Sequence, residues 1–147
     1  MRGELYQHRR QNVRHDHVGR PVRVRAESRN GDTQARSLGQ DICSWLAERG
    51  VQGTLCEHRV GGGLEACQPA DGRPFDMVLV LGGDGTFIGV ARVCLRLNIP
   101  VLGLNLGRVG FLAEGAGTWP QRLEALLAGR YSLSRRICLD YDVVRKG

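Results

Sequence analysis

Asp84 stands within Gly82-Gly83-Asp84-Gly85-Thr86, directly after the apolar run Met77-Val78-Leu79-Val80-Leu81 and before Phe87. Glycine on both sides of a lone carboxylate lets backbone N–H groups come close to a ligand. A helix pattern that opens at Thr86 or Phe87 turns its positive end toward the same place. That combination suits a phosphate or a nucleotide. A carboxylate repels phosphate, so Asp84 fits better as a base that takes a proton from a hydroxyl, or as an outer ligand to Mg²⁺ carried on the phosphates. Phosphoryl transfer to a hydroxyl uses both roles. A second loop with ligand-binding composition is Asn105-Leu106-Gly107-Arg108-Val109-Gly110-Phe111-Leu112, and it follows the apolar stretch Pro100-Val101-Leu102-Gly103-Leu104.

The elements that must position these loops are legible from periodicity. Val22 to Ala26 alternates with period two after Pro21 and predicts a first strand. Asp32 or Thr33 caps a helix whose apolar face is Leu38, Ile42, Trp45 and Leu46, and Gly50 closes it in the left-handed conformation. Val51 to Glu57 predicts a second strand, weakened by Gly53. Residues 58–74, with Gly61 to Gly63 in a row, predict a surface connection. His58 at its entrance reads as a surface residue. Met77–Leu81 is then a buried strand. The next helix runs to Asn98 with a face of Ile88, Ala91, Cys94, Leu95 and Leu97, and the strand at Pro100–Leu104 completes a βαβ unit with parallel strands. Both loops then lie at the C-terminal edge of one sheet, where open α/β sheets form their ligand cleft. Thr118 caps a last helix through Leu123, Leu126 and Leu127 to Gly129, and residues 131–144 read as extended. The fold class is α/β: a parallel, Rossmann-like sheet with flanking helices.

Composition bounds the reading. The 147 residues are 41% hydrophobic, enough for one globular domain with a core, and aromatics are only 5%, so aliphatic side chains must fill it. The net charge of +6 is concentrated: residues 1–36 hold nine Arg against four acids. A basic leader of residues 1–19 is expected to be a solvated terminus, with no nucleic-acid partner, because no aromatic platform or basic helix face supports one. His8, His15 and His17 lie in it and are expected to be exposed, with no metal site. The chain has neither a signal-peptide pattern nor an apolar run of about 18 residues, so a cytoplasmic protein without a membrane partner is expected. Cys43, Cys56, Cys67, Cys94 and Cys138 are odd in number and form no C-x-x-C pair, which predicts bystander thiols.

Two simpler readings compete for the first loop. Gly83-Asp84-Gly85-Thr86-Phe87-Ile88-Gly89 approaches the dinucleotide pattern G-x-G-x-x-G with one residue too many, and Gly103 and Asn105 stand where a ribose-binding acid belongs. A tight turn needing glycine for geometry alone is the other. Gly82-Gly83-Asp84-Gly85-Thr86 resembles the signature shared by NAD kinases, diacylglycerol and sphingosine kinases and 6-phosphofructokinases. The second loop, running from Pro100 to Leu112 and ending in Gly110-Phe111-Leu112, is similar to the NAD kinase motif in particular. Leu126-Leu127-Ala128-Gly129-Arg130-Tyr131 looks like that family's exit from its N-terminal domain.

The resemblance implies ATP-dependent phosphorylation of the 2′-hydroxyl on the adenosine ribose of NAD, giving NADP, with Mg²⁺ or another divalent metal. By position, Asp84 becomes the catalytic base, Gly82, Gly83, Gly85 and Thr86 line the phosphate region, and Phe87 packs beside them. Phe111 touches the adenine of NAD, with Asn105, Gly107 and Gly110 shaping that wall; Phe111 also has the alternative of a core aromatic. Arg108 is assigned no role. Family members are usually oligomers, so a homo-oligomer is implied for a full-length form.

The departures are Val109 and Ala113-Glu114, where Leu and Thr-Asp are commoner in the motif, and the lack of any Asn-Glu pair from the family's second, β-rich domain. Residues 20–136 are therefore expected to be the nucleotide-binding domain and residues 137–147 the start of a truncated second one, inactive by itself. Alternatives are a non-catalytic nucleotide-binding module and a lipid or sugar kinase sharing the first loop.

Overall fold

The computed structural model describes residues 23–29, 31–59, 72, 74–108, 110–139 and 143–144. The expectations for the basic leader and its three histidines, for residues 60–71 of the glycine-rich connection, and for Cys67 and Val109 lie outside the described residues. The central elements are five strands and three helices: β1 (Arg23–Arg29), α1 (Thr33–Ala47), β2 (Gln52–His58), β3 (Met77–Leu81), α2 (Asp84–Leu97), β4 (Val101–Asn105), β5 (Glu114–Gly115) and α3 (Trp119–Leu127). The strands form one sheet in the order β2-β1-β3-β4-β5, every pair parallel. This is a doubly wound order, with its switch point between β1 and β3.

β3 is central, and all five of its residues are buried because both faces of the sheet are covered there. Its side chains alternate between two cores. Met77, Leu79 and Leu81 join Ala35, Ile42 and Leu46 of α1, Leu104 of β4 and Leu123 of α3 on one side. Val78 and Val80 meet Val90 and Cys94 of α2 on the other. Burying a Leu or Val fully contributes about 1.5–3 kcal/mol, so β3 alone is a large share of the stabilisation.

Of the two candidates Asp32 and Thr33, Asp32 caps α1, its Oδ1 accepting the Ala35 N–H at 2.9 Å, and Thr33 is the first helical residue. Gly50 has φ of 71°, and Asn98 ends α2 in the left-handed region at φ 53°. Trp45 and Trp119 meet edge to face at 5.8 Å, and the Arg49 guanidinium lies 3.6 Å over the Trp45 ring, joining α1 to α3. Cys43, Cys56, Cys94 and Cys138 are free thiols, with burial raising the Cys43 pKa.

Several sequence expectations need correction. α2 begins at Asp84, with Gly83 as its N-cap, two or three residues earlier than predicted. Its buried face differs in part: Cys94 is buried as expected, but Val90 joins it against the sheet with Phe87 and Val93 packed beside them, while Ile88, Leu95 and Leu97 are about half exposed. The pattern held two stripes at helical spacing, and the one continuous with the sheet won. β1 runs three residues further than predicted, to Arg29, because it pairs on both sides. β5 was not anticipated, since two residues carry no periodicity. Residues 130–139 belong to no helix or strand and are exposed.

Candidate active site

Parallel strands put the exits of β3 and β4 side by side. Leu81 pairs with Leu104, and the Gly82 N–H donates to the Leu104 carbonyl at 3.0 Å, so the two loops leave the sheet as neighbours. The first loop is only Gly82 and Gly83 before α2 opens. Asp84 therefore sits in the first turn of a helix, where the unpaired N–H groups favour a negative charge.

The glycines here do different things. A methyl group on Gly82 would stand 3.1 Å from Thr86 Oγ1 and 3.2 Å from Thr86 Cβ, so Thr86 folds back over the loop. At Gly83 and Gly85 a methyl group would meet nothing within 4 Å. Neither has positive φ. Conformation and packing among the described residues thus give no reason for glycine at 83 or 85, and both backbones lie open there. Phe87 is placed differently: a methyl group on Gly103 of β4 would stand 2.7 Å from its ring and 2.8 Å from Ala113 Cβ, so Phe87 packs beneath the loop and joins the α2 core.

The second loop is held by two side chains. Asn105 is buried; its Oδ1 accepts the Gly107 N–H at 3.0 Å and its Nδ2 donates to the Arg108 carbonyl. Both polar groups of Asn105 are thus engaged with the loop's own backbone, a shaping role. Further along, Asp84 Oδ2 accepts the Phe111 N–H at 2.9 Å and Oδ1 the Leu112 N–H at 3.1 Å. The Phe111 N–H, then the Leu112 N–H, hold the Asp84 carboxyl below its ordinary pKa; partial burial opposes them and the Ala113 N–H adds a smaller contribution. The carboxylate is ionised at neutral pH. It is a good acceptor and a weakened base.

Phe111 is not a core aromatic: its side chain is 98% exposed. Gly107 and Arg108 are exposed, and Gly110 packs against Asp84. The structure therefore gathers Gly82, Gly83, Asp84, Gly85, Thr86, Asn105, Gly107, Gly110 and Phe111 at one sheet edge and turns Phe87 inward. His58 ends β2 at this edge, and its Nε2 would lie 2.8 Å from a methyl group on Gly89, so α2 and β2 meet through an imidazole. Only the helix glycine hinted at that contact in the sequence.

Among the described residues no group of three or more His, Cys, Asp or Glu gathers in a way that holds a metal. A Mg²⁺ ion held chiefly by substrate phosphates needs only one or two protein carboxylates. Asp84 alone is compatible with that arrangement. No described helix is long and apolar enough to cross a membrane.

The model of the ATP-NAD kinase N-terminal domain matches residues 56–131. The NAD kinase of Nitratidesulfovibrio vulgaris strain DP4 is 46% identical over 129 residues, covering 86% of this chain and 42% of the relative. That of strain Miyazaki F is 41% identical over 121 residues, covering 82% and 42%, and that of Syntrophobacter fumaroxidans 41% identical over 117, covering 77% and 41%. The chain thus spans less than half the length of these curated relatives. Its matched residues include both loops, and the chain belongs to the NAD kinase family, matching the family's N-terminal domain.

Proposed function

We propose that the protein phosphorylates the 2′-hydroxyl of the adenosine ribose of NAD at the expense of ATP, giving NADP, with this chain supplying the nucleotide-binding α/β half of the site. The observation that carries the reading is the open space over Gly83 and Gly85 beside an ionised carboxylate at the start of a helix. Phosphate oxygens approach the exposed backbone N–H groups and the helix end. Asp84 orients the acceptor hydroxyl and takes its proton as the phosphoryl group arrives; in a loose transition state, positioning contributes more than base strength, so a depressed pKa is tolerable. Phe111 offers a flat apolar face to the adenine. Asp84 is the described residue that would help hold a Mg²⁺ ion carried on the phosphates, and that ion would supply neutralisation of phosphate charge.

The test is incubation of the protein with ATP, Mg²⁺ and NAD, reading NADP. Product that disappears with Asp84→Asn supports the reading. Full turnover in Asp84→Asn would overturn the role of Asp84, and phosphorylation of diacylglycerol or fructose 6-phosphate instead of NAD would move the substrate to another kinase class. A second reading, nucleotide binding without turnover, draws support from the engagement of both Asp84 oxygens by backbone donors. Tight NAD binding with no NADP from this chain or any longer form of the protein would favour it.

A further inference from the structure

We propose that Asp84 is also the positioning residue of the second loop: its carboxylate grips the Phe111 and Leu112 N–H groups and so fixes the backbone from which Phe111 reaches a nucleotide base. The nucleotide half of this inference rests on the proposed NAD reading; the grip rests on geometry alone. Each oxygen takes one N–H, at 2.9 and 3.1 Å, from residues 27 and 28 positions away. A carboxylate offers about four lone-pair sites, so gripping two donors leaves capacity for a substrate hydroxyl. One group can then hold the wall and meet the acceptor.

Two further observations bear on it. Phe111 has almost no packing to set its position, at 98% exposure, so its location depends on how its backbone is tied. Gly110 is where the carboxylate fits: a methyl group there would stand 2.4 Å from Asp84 Oδ1 and 2.6 Å from both Cγ and Oδ2. Such approaches are far inside van der Waals contact. A side chain at 110 would push the carboxylate off its donors without removing it. Asn105 ties the earlier part of the same loop, at Gly107 and Arg108. Gly110 therefore belongs to the grip, and its variant separates the positioning role of Asp84 from its role as base.

The experiment is amide hydrogen exchange on the 147-residue chain, wild type against Asp84→Asn and Gly110→Ala, followed by NAD and ATP titrations. Exchange at Phe111 and Leu112 is expected to rise about tenfold or more in both variants while the β3 amides stay protected, which certifies the fold. Gly110→Ala, with its carboxylate intact, is expected to bind NAD about tenfold more weakly and ATP as wild type does. Equal exchange at Phe111 and Leu112 in all three proteins overturns the grip. Faster exchange with unchanged NAD affinity in Gly110→Ala overturns the positioning role. If neither this chain nor a longer form of the protein binds NAD while the exchange contrast holds, the NAD reading fails and the grip stands.

Discussion

Gly83 and Gly85 of the first loop, on either side of Asp84, and Gly103 and Gly110 around the second, each between apolar residues, meet opposite surroundings. Open space lies over the first pair, whereas the second pair faces the Phe87 ring, Ala113 and the Asp84 carboxylate at 2.4–3.0 Å from where a methyl group would stand. The second pair is glycine because the chain fills the space itself. The first pair is glycine with no occupant among the described residues, which is what a loop receiving an outside group requires. A glycine-rich signature therefore mixes residues whose space the chain fills with residues it leaves open, and their spatial neighbours sort them; the proposed function gives the open pair to a ligand.

The largest effect that would break this contrast is chemical. In a form of the protein that completes the site, Asp84→Asn is expected to lower NADP formation about 10²–10⁴-fold, the usual contribution of a positioned proton acceptor, measured by steady-state turnover; a change under threefold would remove Asp84 from the chemistry. Next is the fold-serving pair. Gly103→Ala forces the new methyl group against Ala113 and the Phe87 ring, and overpacking of this kind destabilises by about 1–3 kcal/mol. Urea unfolding would read it, and an unchanged midpoint would show that β4, α2 and residue 113 yield more easily than their distances indicate.

The open pair should behave in the other direction. Gly85→Ala lies in the first turn of α2, facing open space, and is expected to raise stability by up to about 0.5–1 kcal/mol through helix propensity while weakening phosphate binding. Thermal unfolding together with an ATP titration separates the two. Loss of stability would place an unseen neighbour over Gly85.

The smallest effect is acid dependence. Backbone donors depress the folded pKa of Asp84, so its contribution to stability is fully present above its unfolded pKa, near pH 4, and is lost as pH falls through the lower folded value. Asp84→Asn should flatten that part of the acid unfolding profile, and identical wild-type and variant profiles below pH 4 would contradict the bonds to Phe111 and Leu112.

Much of this fold was legible. Met77–Leu81 announced a strand buried on both sides, Asp32 and Gly50 bracketed α1, and the apolar strand before Asn105 placed the second loop beside the first. The face of α2 is only partly legible: Cys94 is buried as its spacing predicts, but Ile88, Ala91 and Leu95 satisfy helical spacing as well as Phe87 and Val90 do. The choice belongs to whichever stripe Val78 and Val80 present themselves to. β5 and the inward turn of Phe87 were illegible for a related reason: each depends on a neighbour far away in sequence.

By itself, the sequence determined which residues would gather at the sheet edge, since apolar runs and caps are local properties and parallel pairing then carries both loops to one side. Tertiary structure alone decided what those residues touch. It set the Asp84 carboxylate against two N–H groups 27 and 28 residues away, turned Phe111 outward and left Gly83 and Gly85 uncovered. Hydrogen bonds and close contacts between distant segments depend on distances of a few tenths of an ångström, and no pattern along the chain encodes those.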